Sequence, residues 1–220
     1  MNKQEIINNT AKYARETLEG ETSGHDWWHV YRVWKMAQNI GQKENADMFV
    51  VELAALLHDI ADYKMHSGDD TVGSGVAREW LEKQGVDDET IFHVCEIIKE
   101  ASFKGEKVES KINTVEGKVV QDADRLDAIG AIGIARGFMF AGNKSLPMYD
   151  PDIKPLEIHD FEVYKNIKRP TYTQINHFYE KLLLLKDLMN TESGKEIAQG
   201  RHVIMENYLK DFFNEWEGKA

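Results

Sequence analysis

Three stretches of the chain place imidazoles and carboxylates where they can do chemistry together. His58-Asp59 follows directly on Leu53-Ala54-Ala55-Leu56-Leu57. A charged pair at the end of so apolar a helix is poorly explained by solvation, because that helix has to be buried to be stable. Neighbouring helical residues point about 100° apart, so His58 and Asp59 straddle one edge of the helix and both can touch one ion. His29 lies on the preceding element, on a face shared with His25 and Arg32, whereas Val30 and Val33 mark a buried side. The third contributor is Asp124, within Asp122-Ala123-Asp124-Arg125-Leu126-Asp127. Three acids in a turn and a half repel one another unless a cation or basic groups relieve them. Val119-Val120 before them and Ala128-Ile129 after them make the segment mostly apolar, which argues against a plain solvated face.

His29, His58, Asp59 and Asp124 together offer two imidazoles and two carboxylates with no thiolate. Mixed nitrogen and oxygen donors suit one divalent ion among Mn²⁺, Co²⁺, Ni²⁺, Fe²⁺, Zn²⁺ and Mg²⁺, with Mn²⁺ favoured, and exclude Cys-rich structural zinc. Four protein donors on an octahedral ion leave about two positions open for water and a substrate oxygen, which is a catalytic arrangement.

The elements that must position these groups read as helices almost throughout. Apolar spacing predicts helices over residues 4–18, 25–40, 46–60, 71–84, 89–100, 119–140, 174–189 and 194–216, with Ser23 as an N-cap and Asp87-Asp88 in a capping position. No period-two run is bounded by turn residues. Pro147, Pro151, Pro155 and Pro170, the only prolines, fall within residues 142–170, which predicts a loop or lid of functional length. Trp27-Trp28 could stack a nucleobase, but aromatics on a helix are more often core, and the core is the expectation for this pair.

Composition bounds the partners. The 220 residues carry a formal charge of −11, which disfavours duplex nucleic acid. Cys95 is the single cysteine, so no intrachain disulfide forms, and the longest apolar run, Leu182–Leu185, is far shorter than a membrane span. A cytoplasmic protein without membrane contact is the expectation.

The strings Gly24-His25-Asp26-Trp27-Trp28-His29, Leu56-Leu57-His58-Asp59-Ile60-Ala61-Asp62-Tyr63-Lys64 and Asp122-Ala123-Asp124-Arg125-Leu126-Asp127-Ala128 resemble the small bacterial single-domain members of the HD-domain superfamily of metal-dependent phosphohydrolases. The likeness covers roughly residues 20–140, and weaker similarity continues through His177-Phe178-Tyr179-Glu180-Lys181-Leu182. It implies an all-α HD-domain bundle spanning residues 1–220, with the proline-containing insertion at 142–170 and C-terminal helices within 171–217. It further implies His29, His58, Asp59 and Asp124 as metal ligands. The choice of Asp124 over Asp122 rests on the family's Ala-Asp-x-Leu pattern. Two-metal members add histidines after the His-Asp pair; His66 and His93 lack that spacing, so one metal is expected.

The resemblance implies hydrolysis of a phosphate ester or anhydride in a small phosphorylated metabolite, with a nucleotide the leading substrate. Asp62, one turn past His58, is placed as the proton-transferring acid or base. Lys64, with Arg32 on the His29 face, suits phosphate. His25 and Asp26 are expected to orient ligands or accept from substrate, and Lys104 is a weaker phosphate contact. The rivals are a phosphodiesterase or signalling-nucleotide hydrolase and a non-catalytic ligand-binding module.

Overall fold

A computed structural model describes residues 2–20, 26–61, 72–101, 112–156 and 173–219. Its helices are α1 (Lys3–Thr17), α2 (Trp27–Lys43), α3 (Met48–Leu57), α4 (Val72–Lys83), α5 (Asp88–Ala101), α6 (Val115–Asp127), α7 (Gly130–Asn143), α8 (Gln174–Glu180) and α9 (Glu192–Trp216), with a 3₁₀ helix at Leu182–Leu188. No strand occurs among the described residues, and the all-α class expected from the sequence holds. No described helix is long and apolar enough to cross a membrane. The chain forms two compact units, parted within α6 between Asp124 and Arg125.

The first unit is organised by α3. Phe49, Val50, Val51 and every residue from Leu53 to Leu57 are buried, so this helix has almost no polar face. A helix apolar all round has to be surrounded, and α1, α2 and α5 pack on it. Polar ties fix the neighbours. The Trp34 indole N–H and the Gln38 amide both donate to Glu52 Oε2, at 2.8 and 2.7 Å, joining α2 to α3. The Trp80 indole N–H donates to Thr10 Oγ1 at 2.9 Å while its ring stacks on Tyr13 at 4.0 Å, joining α4 to α1. Asn2, Asp26 and Asp47 cap α1, α2 and α3 by accepting from Glu5, His29 and Phe49 N–H. Asp87 does the same for Thr90 ahead of α5, and that bond holds its carboxyl below the usual carboxylate range.

In the second unit α9 packs on α7 and on the 3₁₀ helix. The segment after α7 is fastened to α8: Gln174 and Ile175 N–H donate to the Pro147 and Met148 carbonyls, the Asn176 amide to Ile153 O at 3.0 Å, and Leu156 N–H to Glu180 Oε1 at 3.0 Å. Burial pushes the Glu180 carboxyl up, and the Leu156 N–H opposes that shift.

Several sequence expectations are corrected here. The helix expected over 119–140 is two helices, because Ile129 is extended (φ −126°, ψ 167°) and Gly130 takes φ +75°, a left-handed value that turns the chain. The helix expected over 174–189 breaks at Lys181 (φ −144°, ψ −57°) and continues as the 3₁₀ helix. The cap of α2 is Asp26; Ser23 lies outside the described residues. Trp28 is 56% exposed and so is not core. It and Trp27 line a cleft of about 150 Å³ with Arg15, Leu18 and Glu19. Of the expected 142–170 loop, residues 142 and 143 end α7, residues 144–156 form the fastened segment, and 157–170 lie outside the described residues.

The tightness of the α6–α7 corner and the openness of α9 make opposite predictions for two glycines. A Cβ on Gly133 would lie 2.2 Å from the Ala128 carbonyl oxygen, so Gly133→Ala should destabilise by ~1–3 kcal/mol. Gly200, in the exposed interior of α9, meets nothing within 4 Å, and Gly200→Ala should stabilise by ~0.5–1 kcal/mol. Urea titration followed by far-ultraviolet circular dichroism checks both signs.

Candidate metal centre

The α2 helix carries His29 in its first turn, where the Asp26 carboxylate accepts the His29 backbone N–H at 2.9 Å. The imidazole is buried beside Val30 and Val33 and does not sit on a polar face. His58 is the C-cap of α3, and Asp59 follows in the turn. The His58 Nδ1 lies 2.9 Å from the Ala55 carbonyl. A carbonyl only accepts, so Nδ1 carries the proton and the Nε2 lone pair is left for the centre. Asp124 reaches the same place from α6.

The four groups converge closely. His29 Nε2 lies 3.2 Å from Asp59 Oδ2 and 3.3 Å from Asp124 Oδ1. His58 Nε2 lies 3.4 Å and 3.9 Å from the same two oxygens. The two Nε2 atoms are 3.3 Å apart, with the rings inclined at 66°. Donor atoms on one coordination shell with bonds of ~2.1 Å stand ~3.0–3.4 Å apart when adjacent, and every separation here fits that except His58 to Asp124, which at 3.9 Å is wider. The chemistry of the set fits as well: two imidazole Nε2 atoms and two carboxylates converge, with no thiolate. His29, His58 and Asp59 meet the spacing of a metal-holding group among the described residues, and Asp124 stands beside that group, nearer to His29 than to His58.

The electrostatics favour a positive occupant. Burial works against charging His58, but the Asp59 and Asp124 carboxylates overcome it and raise its pKa. Burial likewise opposes ionisation of Asp124, yet the His29 hydrogen bond and the charges of both imidazoles hold its carboxyl well below the usual range.

The other sequence-nominated residues are distributed differently. Arg32 is half-buried on α2, one turn past His29. Asp26 caps α2, as its carboxylate type allows at a helix start, and it also lines the cleft that holds Trp27 and Trp28. His25, Asp62, Lys64, His66 and Lys104 lie outside the described residues. His93 faces Glu116 at 3.7 Å, apart from the four converging donors. Arg125 donates to the Leu188 carbonyl. His177, in the second unit, is pushed down to about 3 by burial, with Lys181 adding to the effect, so its ring is neutral. The Ala55 carbonyl that sets the His58 tautomer was missed, since a backbone acceptor leaves no mark in a sequence.

A helical unit with two imidazoles and two carboxylates gathered on one apolar helix end defines a class, and comparison with known proteins names it. The HD-domain family model matches residues 27–129. The uncharacterised protein YpgQ of Bacillus subtilis strain 168 is 42% identical over 201 residues, spanning 90% of this chain and 87% of YpgQ. A crystal structure of YpgQ in complex with ADP aligns with TM-score 0.75 and 38% identity over 97% of this chain and all of that one. A Bacillus thuringiensis HD-superfamily hydrolase aligns with TM-score 0.77 and 42% identity, covering 98% of this chain and 99% of its own. A Lactobacillus plantarum structure aligns with TM-score 0.82 and 34% identity over 99% of this chain and 100% of its own. The chain belongs to the HD-domain family.

The capping role of Asp26 has a direct consequence. Asp26→Ala should lower stability by ~1 kcal/mol, and Asp26→Asn, which keeps a capping oxygen, should cost far less. Chemical denaturation of the two variants separates a cap from a residue that only meets substrate, for which neither change would alter stability.

Proposed function

We propose that this protein is a metal-dependent phosphohydrolase that cleaves a phosphate ester or anhydride of a nucleotide, with His29, His58, Asp59 and Asp124 holding one divalent ion, Mn²⁺ favoured. The convergence of the four donors carries this reading. Membership of the HD-domain family and the ADP complex of YpgQ support it.

A divalent ion held by His29, His58, Asp59 and Asp124 would supply Lewis acidity towards a phosphoryl oxygen and would lower the pKa of water from ~15.7 towards ~7. The chain's own residues do the rest. His29 and His58 are delivered from rigid helix ends, His58 with its tautomer fixed by Ala55, so the donors need little rearrangement. Asp62 transfers the proton between water and leaving group. Lys64, Arg32 and Lys104 offset the phosphate charge, which a protein of net charge −11 has to do locally. Asp26 acts through α2 by fixing the turn that presents His29, and His25, just before that cap, meets substrate.

The test is release of phosphate and pyrophosphate from nucleoside mono-, di- and triphosphates with Mn²⁺, Co²⁺, Mg²⁺ or EDTA. Release that needs metal is expected, and its product locates the cleaved bond. Silence from protein shown to hold an ion would overturn the reading. Asp59→Ala should lose both metal and turnover. Asp62→Ala should keep the metal and lose ~10²–10⁴-fold in rate; wild-type rates in both variants would contradict the assignment.

A further inference from the structure

The C-terminal turn of α6, immediately after Asp124, is fixed by an arrangement that helix formation alone does not require. A helix end leaves carbonyls without intrahelical partners. Here the last three are taken: Arg125 O accepts Ala128 N–H at 3.1 Å, Leu126 O accepts both Ile129 N–H at 3.2 Å and the Arg201 guanidinium, and Asp127 O accepts Arg136 at 3.2 Å. The Arg136 guanidinium also binds Asp127 Oδ2 at 2.7 Å, with the Asp127 side chain only 4% exposed. Burial works to lower the pKa of Arg201, and the charge of Asp127 opposes that shift. Gly130 lets this happen, since a Cβ there would lie 2.9 Å from Arg201 Cγ.

An acid at a helix C-terminus opposes the helix dipole, and an acid three residues from another acid repels it. Asp127 does both, so its presence calls for a compensating role. The structure provides one, because Arg136 engages its carboxylate and the two arginines bind the backbone of the same turn.

We propose that Asp127, Arg136 and Arg201 are positioning residues for the metal centre: they lock the last turn of α6 and engage the Asp127 carboxylate elsewhere, so that Asp124 alone of the pair is presented to the two imidazoles. This rests on the reading of His29, His58, Asp59 and Asp124 as a metal site.

Mn²⁺ titration of the full chain by electron paramagnetic resonance, with the visible spectrum of the Co²⁺ form and a thermal melt, tests it in Asp127→Asn, Arg136→Met, Arg136→Lys and Arg201→Met. Asp127→Asn and Arg136→Met should stay folded, weaken Mn²⁺ binding by about ten- to a hundred-fold and alter the Co²⁺ spectrum, whereas Arg136→Lys recovers part of the affinity. Folded variants with wild-type Mn²⁺ affinity and Co²⁺ spectrum would overturn the proposal. So would affinity losses that appear only with loss of the folded circular dichroism signal and are not rescued by lysine. Wild-type protein that binds no Mn²⁺ would sink the metal-site reading itself, whereas wild-type binding with unaffected variants would sink the positioning role alone.

Discussion

Two imidazole nitrogens 3.3 Å apart, each also within 3.4 Å of the Asp59 carboxylate, form the contact on which the structure of the first unit turns. Held without a cation, such a cluster relies on sharing protons among buried groups, and the opposed pKa directions of His58 and Asp124 express that tension. Keeping the donors at this distance therefore needs a scaffold stiffer than the groups themselves. The scaffold is α3, which is buried on every side and stops at the point where its last carbonyls can orient His58. An apolar helix cannot solvate its own end, so the polar groups there are directed at each other.

The partners of α3 fit the same demand. The cap at Asp26 fixes where α2 begins and hence where His29 stands. Glu52 draws Trp34 and Gln38 together and sets α2 against α3. Helix α2, helix α3 with the turn that follows it, and helix α6 thus contribute one or two of these groups each, and the start of α2 is pinned by the Asp26 side chain. Constraints of this kind preform the arrangement, and a cation taken up there would not bear the cost of ordering its ligands.

Much of this was legible in the sequence. The apolar run ending in His58-Asp59 announced a buried helix with a polar tip, and the crowded acids around Asp124 announced unrelieved repulsion. Both followed from the cost of burying or crowding charge. The all-α class followed from periodicity and the confinement of proline to one stretch. The break at Ile129-Gly130 was not legible as to place, because the turn there packs against the distant Arg201, and the break at Lys181 is a change of backbone angle that no residue type in Glu180-Lys181-Leu182 marks. Arg201, which lies far along the chain and binds the Leu126 carbonyl, has no local signature. The exposure of Trp28 is not legible either, since helical spacing alone does not tell which side of α2 meets solvent. The cap at Asp26 is readable in residue type alone, since an aspartate directly before an apolar-periodic run is a capping residue.

Anomalous diffraction from crystals of the protein grown with Mn²⁺ tests the central claim most directly. The account predicts one strong peak per chain within ~2.0–2.3 Å of His29 Nε2, His58 Nε2 and carboxylate oxygens of Asp59 and Asp124. A peak ligated elsewhere, or full Mn²⁺ saturation in solution with no density between the two imidazoles, would contradict it.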